Sequence, residues 1–187
     1  MGRVLAVRRA APSDLAALLS LYRELSGSKL TATPADSVSA GPILEEILAD
    51  PRRELAVAVV DGDVVGTADL VVVPNLTHRG EPWAVIENVI VTSSHQRMGV
   101  GSALLEHLIA VARAAGCCKV QLLSGKHRTW AHEFYESMGF EAVAEGFKLY
   151  FDESFAFRQP PGPEATTVVE LRDVALQAPL LSEILAL

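Results

Sequence analysis

Residues 96–105 read QRMGVGSALL, with Gly99 and Gly101 at the entrance to an apolar-periodic run. Glycines let backbone come close to a ligand. The successive N–H groups from Met98 to Ser102, backed by the positive end of a helix, are suited to hold an anion such as a pyrophosphate. The plainer reading is a glycine turn that opens a helix, with Ser102 as its polar starter. Two other phosphate patterns lack essential parts. A P-loop requires Gly-Lys-Ser/Thr, whereas Gly101 is followed by Ser102 and Ala103. The dinucleotide fingerprint requires a third small residue where Leu104 stands, and an acidic residue about 20 positions on, where the chain reads CCKVQLL.

Other chemistry-bearing residues give less. His127 and His132 are off the helical spacing of a metal pair, and His78, His95 and His107 have no acidic or thiol cluster around them in sequence, so no metal is implied. Cys117 and Cys118 are adjacent, which provides neither a disulfide framework nor a zinc spacing. They are expected to pack as small hydrophobes, and a reducing cytoplasm fits. Lys and Arg total 16 against 23 Asp and Glu, for a formal charge of -7. That balance argues against nucleic acid as the main partner and leans towards a cationic small substrate. Half of the residues are hydrophobic and no apolar run reaches the ~18 residues of a membrane span, so no membrane partner is expected. The start, MGRVLAVRRAAPSD, lacks the apolar core of a secretory signal and has Ala6 where a myristoylation signal needs Ser or Thr.

The elements that must position these residues follow one another with short connectors. RVLAVRR predicts a strand. A helix begins near Ser13 or Asp14, carries Leu15, Leu18, Leu19, Tyr22 and Leu25 on one stripe, and stops at Gly27. Residues 26–41 read as a polar loop, and PILEEILAD as a helix from Pro42 to before Pro51. ELAVAVV and DVVGTADLVVV predict a hairpin around Asp61-Gly62. After the loop NLTHRGEP come a strand, WAVIENVIV, the glycine turn, and a long helix with Leu104, Leu105, Leu108, Val111 and Ala112 on its apolar face. KVQLLS predicts a strand, TWAHEFYESMG a helix ending on Gly139, and FEAVAEGFKLYF two short strands around Gly146. From Arg158 the composition shifts to RQPPGPEATT and then to an apolar stretch, so 158–187 reads as a C-terminal extension that packs on its own core or on a partner.

The turn Gln96-Arg97-Met98-Gly99-Val100-Gly101 resembles the Q/R-x-x-G-x-G/A turn of the GNAT superfamily of acyl-coenzyme A N-acyltransferases. IENVIV before it, KVQLLS after the long helix and FYESMGF near the end resemble that family's successive core segments, in the same order. The resemblance implies an α/β fold of mixed α+β type within residues 1–157: a central twisted, mostly antiparallel sheet of six to seven strands flanked by about four helices. It also implies acetyl-coenzyme A as acyl donor, no metal, and a small-molecule amine as acceptor. Together with the extension it leads to the expectation of a homodimer.

In that chemistry an amine attacks a thioester directly, so a site must take a proton from an ammonium, steady an oxyanion and help a thiolate leave. By resemblance, the backbone of Val89, Ile90 and Val91 pairs with the pantetheine arm like an added strand, and an N–H of Val89 or Ile90 faces the thioester oxygen. Gln96 to Ser102 cradle the pyrophosphate. Glu87 is the candidate general base: it interrupts an apolar strand, where burial would raise its proton affinity. Its alternative is a place at the sheet's exposed end or a pairing with Arg79. Tyr135 is the candidate general acid for the thiolate, its alternative being a core aromatic beside Phe134 and Met138. Seven residues before Tyr135, where many members carry an Asn that touches coenzyme A, this chain has Arg128. The basic GKHR there reaches the nucleotide's phosphates or is a solvated loop. The acceptor belongs between the 26–41 and NLTHRGEP loops; a wide groove there would suit a protein lysine or amino terminus instead. A further reading is a GNAT-fold module that binds coenzyme A or a partner without turnover.

Overall fold

The computed structural model describes residues 4–26 and 34–149, with side chains described for 4–25 and 39–149. The chain falls into two units, Met1–Gly146 and Phe147–Leu187, and the elements below all lie in the first. The expected extension, 158–187, lies outside the described residues.

Strand β1 (Leu5–Arg9) is followed by a 3₁₀ turn and helix α1 (Leu15–Ser26), then α2 (Pro34–Ala49). Strands β2 (Arg53–Val60), β3 (Asp63–Val73) and β4 (Trp83–Val91) lead to α3 (Val100–Ala114), β5 (Val120–Leu122) and α4 (Thr129–Ser137). The five strands lie in chain order; β1 to β4 are antiparallel and β4–β5 is parallel. Parallel neighbours require a crossover, which α3 supplies.

Alternation along the strands assigns the two faces. Leu55 and Val57 of β2 join Leu18 of α1 and Leu44 of α2 on one side of the sheet. Ala56, Ala58 and Val60 join Leu70 of β3, Ile86 of β4 and Leu104, Leu105 and Leu108 of α3 on the other. Small residues in the sheet let α3 sit close to it, and all three of its leucines are fully buried.

Three expectations are corrected. Helix α2 starts at Pro34, eight residues before Pro42, so residues 34–41 are helical rather than loop and Pro42 lies inside the helix. Proline in a helix interior forfeits one hydrogen bond, but the residue before it is Gly41, which has no Cβ to meet the ring, and Pro34 takes the helix-start position that suits proline. Residues 141–149 form no strand, so the sheet has five strands among the described residues rather than six or seven. A strand needs a neighbour's unpaired backbone, and β5, at three residues, offers a short edge. Finally, Cys117 packs against the α3 face of the core as expected, but Cys118 is exposed. No helix among the described residues is long and apolar enough to cross a membrane.

Candidate active site

The site begins with an irregularity in β4. Thr67 of β3 is in register with Ile90, but Asp69 is in register with Glu87, so β4 carries one residue more than β3 over this span. The extra residue is absorbed at Asn88, whose φ is 56°. Asn tolerates this left-handed conformation better than most residues, and such a bulge bends its strand. The consequence appears on the other edge of β4: its pairing with β5 runs from Ala84↔Val120 to Ile86↔Leu122 and then ends. Beyond Ile86 the two parallel strands part.

A cleft of about 130 Å³ opens at the parting. Glu87, Asn88 and Val89 form its β4 wall, and Leu122 of β5 with Leu123 just after it the opposite one; Arg128 and Tyr135 enter from α4 and its N-cap and Leu25 from α1. Glu87 and Tyr135, singled out from sequence, are therefore brought to one cavity. Glu87 is exposed, however, so the burial expected of it from its place in an apolar strand is not what the structure has. Nor does it pair with Arg79, which lies 3.8 Å from Glu81 instead.

Tyr135 is held from several directions. It sits three residues before the C-cap Met138, in a helix ending closed by Gly139 (φ 86°). There the Phe140 N–H donates to the Tyr135 carbonyl at 3.0 Å and the Gly139 N–H to that of Glu136 at 2.9 Å, the paired bonds of a Schellman ending. The Phe140 ring meets the Tyr135 ring edge-on at 6.1 Å, and the Phe134 ring lies 5.4 Å away. Burial pushes the Tyr135 phenol above the usual tyrosine range; the Arg128 guanidinium pulls it part of the way back and the Glu87 carboxylate adds to the rise.

Arg128 is the residue that the sequence placed least well. It is half-buried at the N-cap of α4 and lines the cleft, with its guanidinium 4.9 Å from the centre of the Trp130 ring. Of GKHR, then, Arg128 belongs to the cavity, while Lys126 is an exposed side chain 3.3 Å from Glu145.

The glycine turn lies at the other end of the same β4 segment. Gln96 Nε2 donates to the Val91 carbonyl at 3.0 Å, closing the turn on the end of β4. Arg97 (φ 60°) and Gly99 (φ 82°) are both left-handed, and Gly99 is the N-cap of α3. Among the described residues no side chain caps that end, Ser102 included, so the first-turn N–H groups of Val100, Gly101 and Ser102 have no side-chain or intrahelical acceptor there. Val100, 2% exposed, pins the turn to the core, whereas Met98 is exposed. The two glycines differ in purpose. Gly99 has open space around it and is required by its backbone, while a Cβ on Gly101 would meet Phe134 Cζ at 3.2 Å.

Residues 87–91 of β4 have β3 on one side and, among the described residues, no strand on the other. An open strand edge that runs into an uncapped helix start fits a ligand with an extended amide-bearing arm ending in an anionic group. Ser124 Oγ, one residue past the cleft-lining Leu123, is buried and finds no hydrogen-bond partner among the described residues. Polar capacity is thus left over beside the cavity.

On β3, across from Glu87 in the sheet, lies a buried polar cluster not foreseen from sequence. Asp69, in register with Glu87, is 2% exposed and takes the Arg53 Nε at 3.0 Å from both carboxylate oxygens. Thr67 Oγ1 donates to the Ala56 carbonyl at 2.8 Å; burial, and after it the Asp69 charge, raise the Tyr22 phenol on α1 above the usual tyrosine range, with Thr67 and Arg53 opposing. Glu24, next along α1, accepts from Thr92 Oγ1 at 2.9 Å and from the Ser93 N–H at 3.3 Å, tying α1 to the segment that precedes the glycine turn.

Comparison with known proteins follows the same outline. Residues 17–140 match the profile of the Acetyltransferase (GNAT) family. The chain is 34% identical to a glucosamine 6-phosphate N-acetyltransferase of Trypanosoma brucei brucei, over 70% of this chain and 88% of the relative. It is 27% identical to a phosphinothricin N-acetyltransferase of Streptomyces viridochromogenes, over 86% and 93%. Among solved structures, a putative acetyltransferase of Agrobacterium tumefaciens superposes with a TM-score of 0.72 at 39% identity, covering 78% of this chain and 99% of that one.

Proposed function

The chain belongs to the GNAT family of N-acetyltransferases, and we propose that it moves an acetyl group from acetyl-coenzyme A to the primary amine of a small molecule by direct attack in a ternary complex. The observation that carries this reading is the parting of β4 from β5, which puts Glu87 and Tyr135 in one cleft at the end of an open strand edge. The acetyl thioester supplies the activated carbonyl; the rest falls to this chain's residues.

Backbone N–H groups of Val100, Gly101 and Ser102 hold the pyrophosphate at the α3 start, with Arg97 and Gly99 shaping the turn and Gln96 fastening it to Val91. The free edge of Val89–Val91 aligns the pantetheine arm, and an N–H of that edge steadies the carbonyl oxygen as it gains charge. Glu87 takes a proton from the acceptor's ammonium, directly or through water; since it is exposed, it works by position rather than by burial. Tyr135 gives its proton to the sulfur as the C–S bond breaks and the electron pair passes to sulfur, leaving a phenolate that solvent reprotonates.

Both relatives act on small amines, as their names state, and glucosamine 6-phosphate is an aminosugar phosphate. That supports aminosugars and other small amines as the acceptor class. The test is calorimetric titration with acetyl-coenzyme A, followed by a thiol-release screen over amines, aminosugars, amino acids and peptides. Micromolar binding with turnover on a small amine is expected. A folded protein, free of copurified cofactor, that does not bind acetyl-coenzyme A would overturn the reading.

A further inference from the structure

Arg128 stands in the cleft without an evident task. Its position is the N-cap of α4, two helical turns before Tyr135, and a spacing of seven residues places both on one face of the helix. Both side chains line the same cavity. The Trp130 ring, 4.9 Å from the guanidinium, stacks on it from outside and limits where it can go. The Arg128 side chain forms no cap on the helix, so the residue is not required for starting α4.

Among the described residues, the charged groups that bear on Tyr135 are Arg128, from its own helix, and Glu87, from β4 across the cleft. They act in opposite senses. Proton donation by Tyr135 leaves a negative oxygen in a half-buried place, where burial and Glu87 both resist that charge. Arg128 is the group placed to offset them.

Resting on the acetyltransferase reading above, we propose that Arg128 is a positioning residue acting through Tyr135: its guanidinium offsets the negative charge that builds on the Tyr135 oxygen while the phenol protonates the departing thiolate. In that step the C–S bond breaks, the electron pair passes to sulfur and the phenolic proton follows it. Arg128 exchanges no atom; it stabilises the phenolate until solvent returns the proton. The sequence position is then occupied by a cation because of what Tyr135 does.

The test is a phenolate-absorbance titration of the protein without ligands, comparing wild type, Arg128→Asn and Arg128→Lys. Each is measured against its own Tyr135→Phe counterpart, so that only Tyr135 is read. Asn is a favourable N-cap residue, which preserves the helix start. The Tyr135 midpoint should move up by about 0.5 pH or more in Arg128→Asn and return towards wild type in Arg128→Lys. An unmoved midpoint in Arg128→Asn overturns the proposal. A second readout decides the matter if the fold is lost at high pH: the kcat loss in Arg128→Asn should shrink when the donor is an acetyl thioester of an acidic aromatic thiol, which leaves without a proton. A loss equal for both donors overturns the proposal. Absence of acetyl-coenzyme A binding in the wild type would instead count against the acetyltransferase reading, and the titration would still decide the electrostatic link.

Discussion

A Cβ placed on Gly101 would stand 3.2 Å from Cζ of Phe134. The second glycine of the turn is therefore a packing residue, at which α3 and α4 touch, and α4 carries Tyr135 one residue further along. Gly101→Ala should cost about 1 kcal/mol, seen as a lower Tm, and should lower kcat as well as ligand affinity because Tyr135 is displaced. Unchanged stability would mean that the Phe134 ring moves aside freely.

Gly99 behaves differently, having open space but a φ of 82°. Gly99→Ala strains only the turn, at about 1–2 kcal/mol, and should weaken acetyl-coenzyme A binding several-fold in calorimetry while leaving the α3–α4 contact intact. Equal affinity in mutant and wild type would dismiss the cradle.

Glu87→Gln should keep acetyl-coenzyme A affinity and lose about 10²-fold in kcat, a typical contribution of a positioned base. Tyr135→Phe should lose a comparable amount. Because burial holds the Tyr135 phenol above the usual tyrosine range, with Arg128 only partly opposing it, the alkaline fall in wild-type kcat from Tyr135 should begin above about pH 10 and be absent in Tyr135→Phe. Wild-type activity in either variant would remove that residue from the mechanism.

Asp14 gives a prediction about acid stability. Its carboxylate, 6% exposed, takes Arg8 Nη1 at 2.7 Å and Nη2 at 2.9 Å, and the Ala11 N–H at 2.8 Å. The hydrogen bonds from Arg8, first among these causes, hold its proton affinity below the usual carboxylate range despite burial. A folded value below the unfolded one contributes stability above about pH 4, and that stability is lost as pH falls through the lowered folded value. With Arg8 half-exposed the contribution is about 1–2 kcal/mol. Asp14→Asn should therefore lower Tm at pH 7, and the gap should close in acid; a gap independent of pH would refute the linkage.

Arg53→Met would leave the Asp69 carboxylate buried and unpaired. A cost of about 3–5 kcal/mol in urea unfolding is expected, with much of it recovered in Arg53→Met/Asp69→Asn. No recovery would mean that Arg53 contributes by packing alone.

Much of this was legible in the chain. Hairpin, long helix and glycine turn announce themselves through periodicity and turn residues, and Glu87 and Tyr135 share one cleft as their motifs implied. What was illegible depended on partners far away in sequence. A proline at the middle of α2 looks like a start when Pro34 is not weighed against it. Apolar residues in 141–149 alternate like a strand, but alternation does not supply a neighbouring edge. Glu87 in an apolar strand looks buried until the bend of β4 is known. Arg128 looks like part of a basic loop until α4 aligns it with Tyr135. The one local hint was Asn88 itself, a residue type that accepts a left-handed backbone amid residues that do not.

That single residue acts as a phase shift. Without it, Ile86 and Val89, three positions apart, would lie on opposite sides of β4; with it, both pack against the α3 side of the core. The strand can thus leave β5 without giving up either half of its hydrophobic contact, and the rift between strands carries no penalty in core packing. Removing Asn88 would invert the sidedness of everything after it, from Val89 to Val91, and set the strand edge proposed to align the ligand arm against the anchoring of the sheet. A vacancy between two strands is ordinarily a defect; here it is written into the sequence as one extra letter.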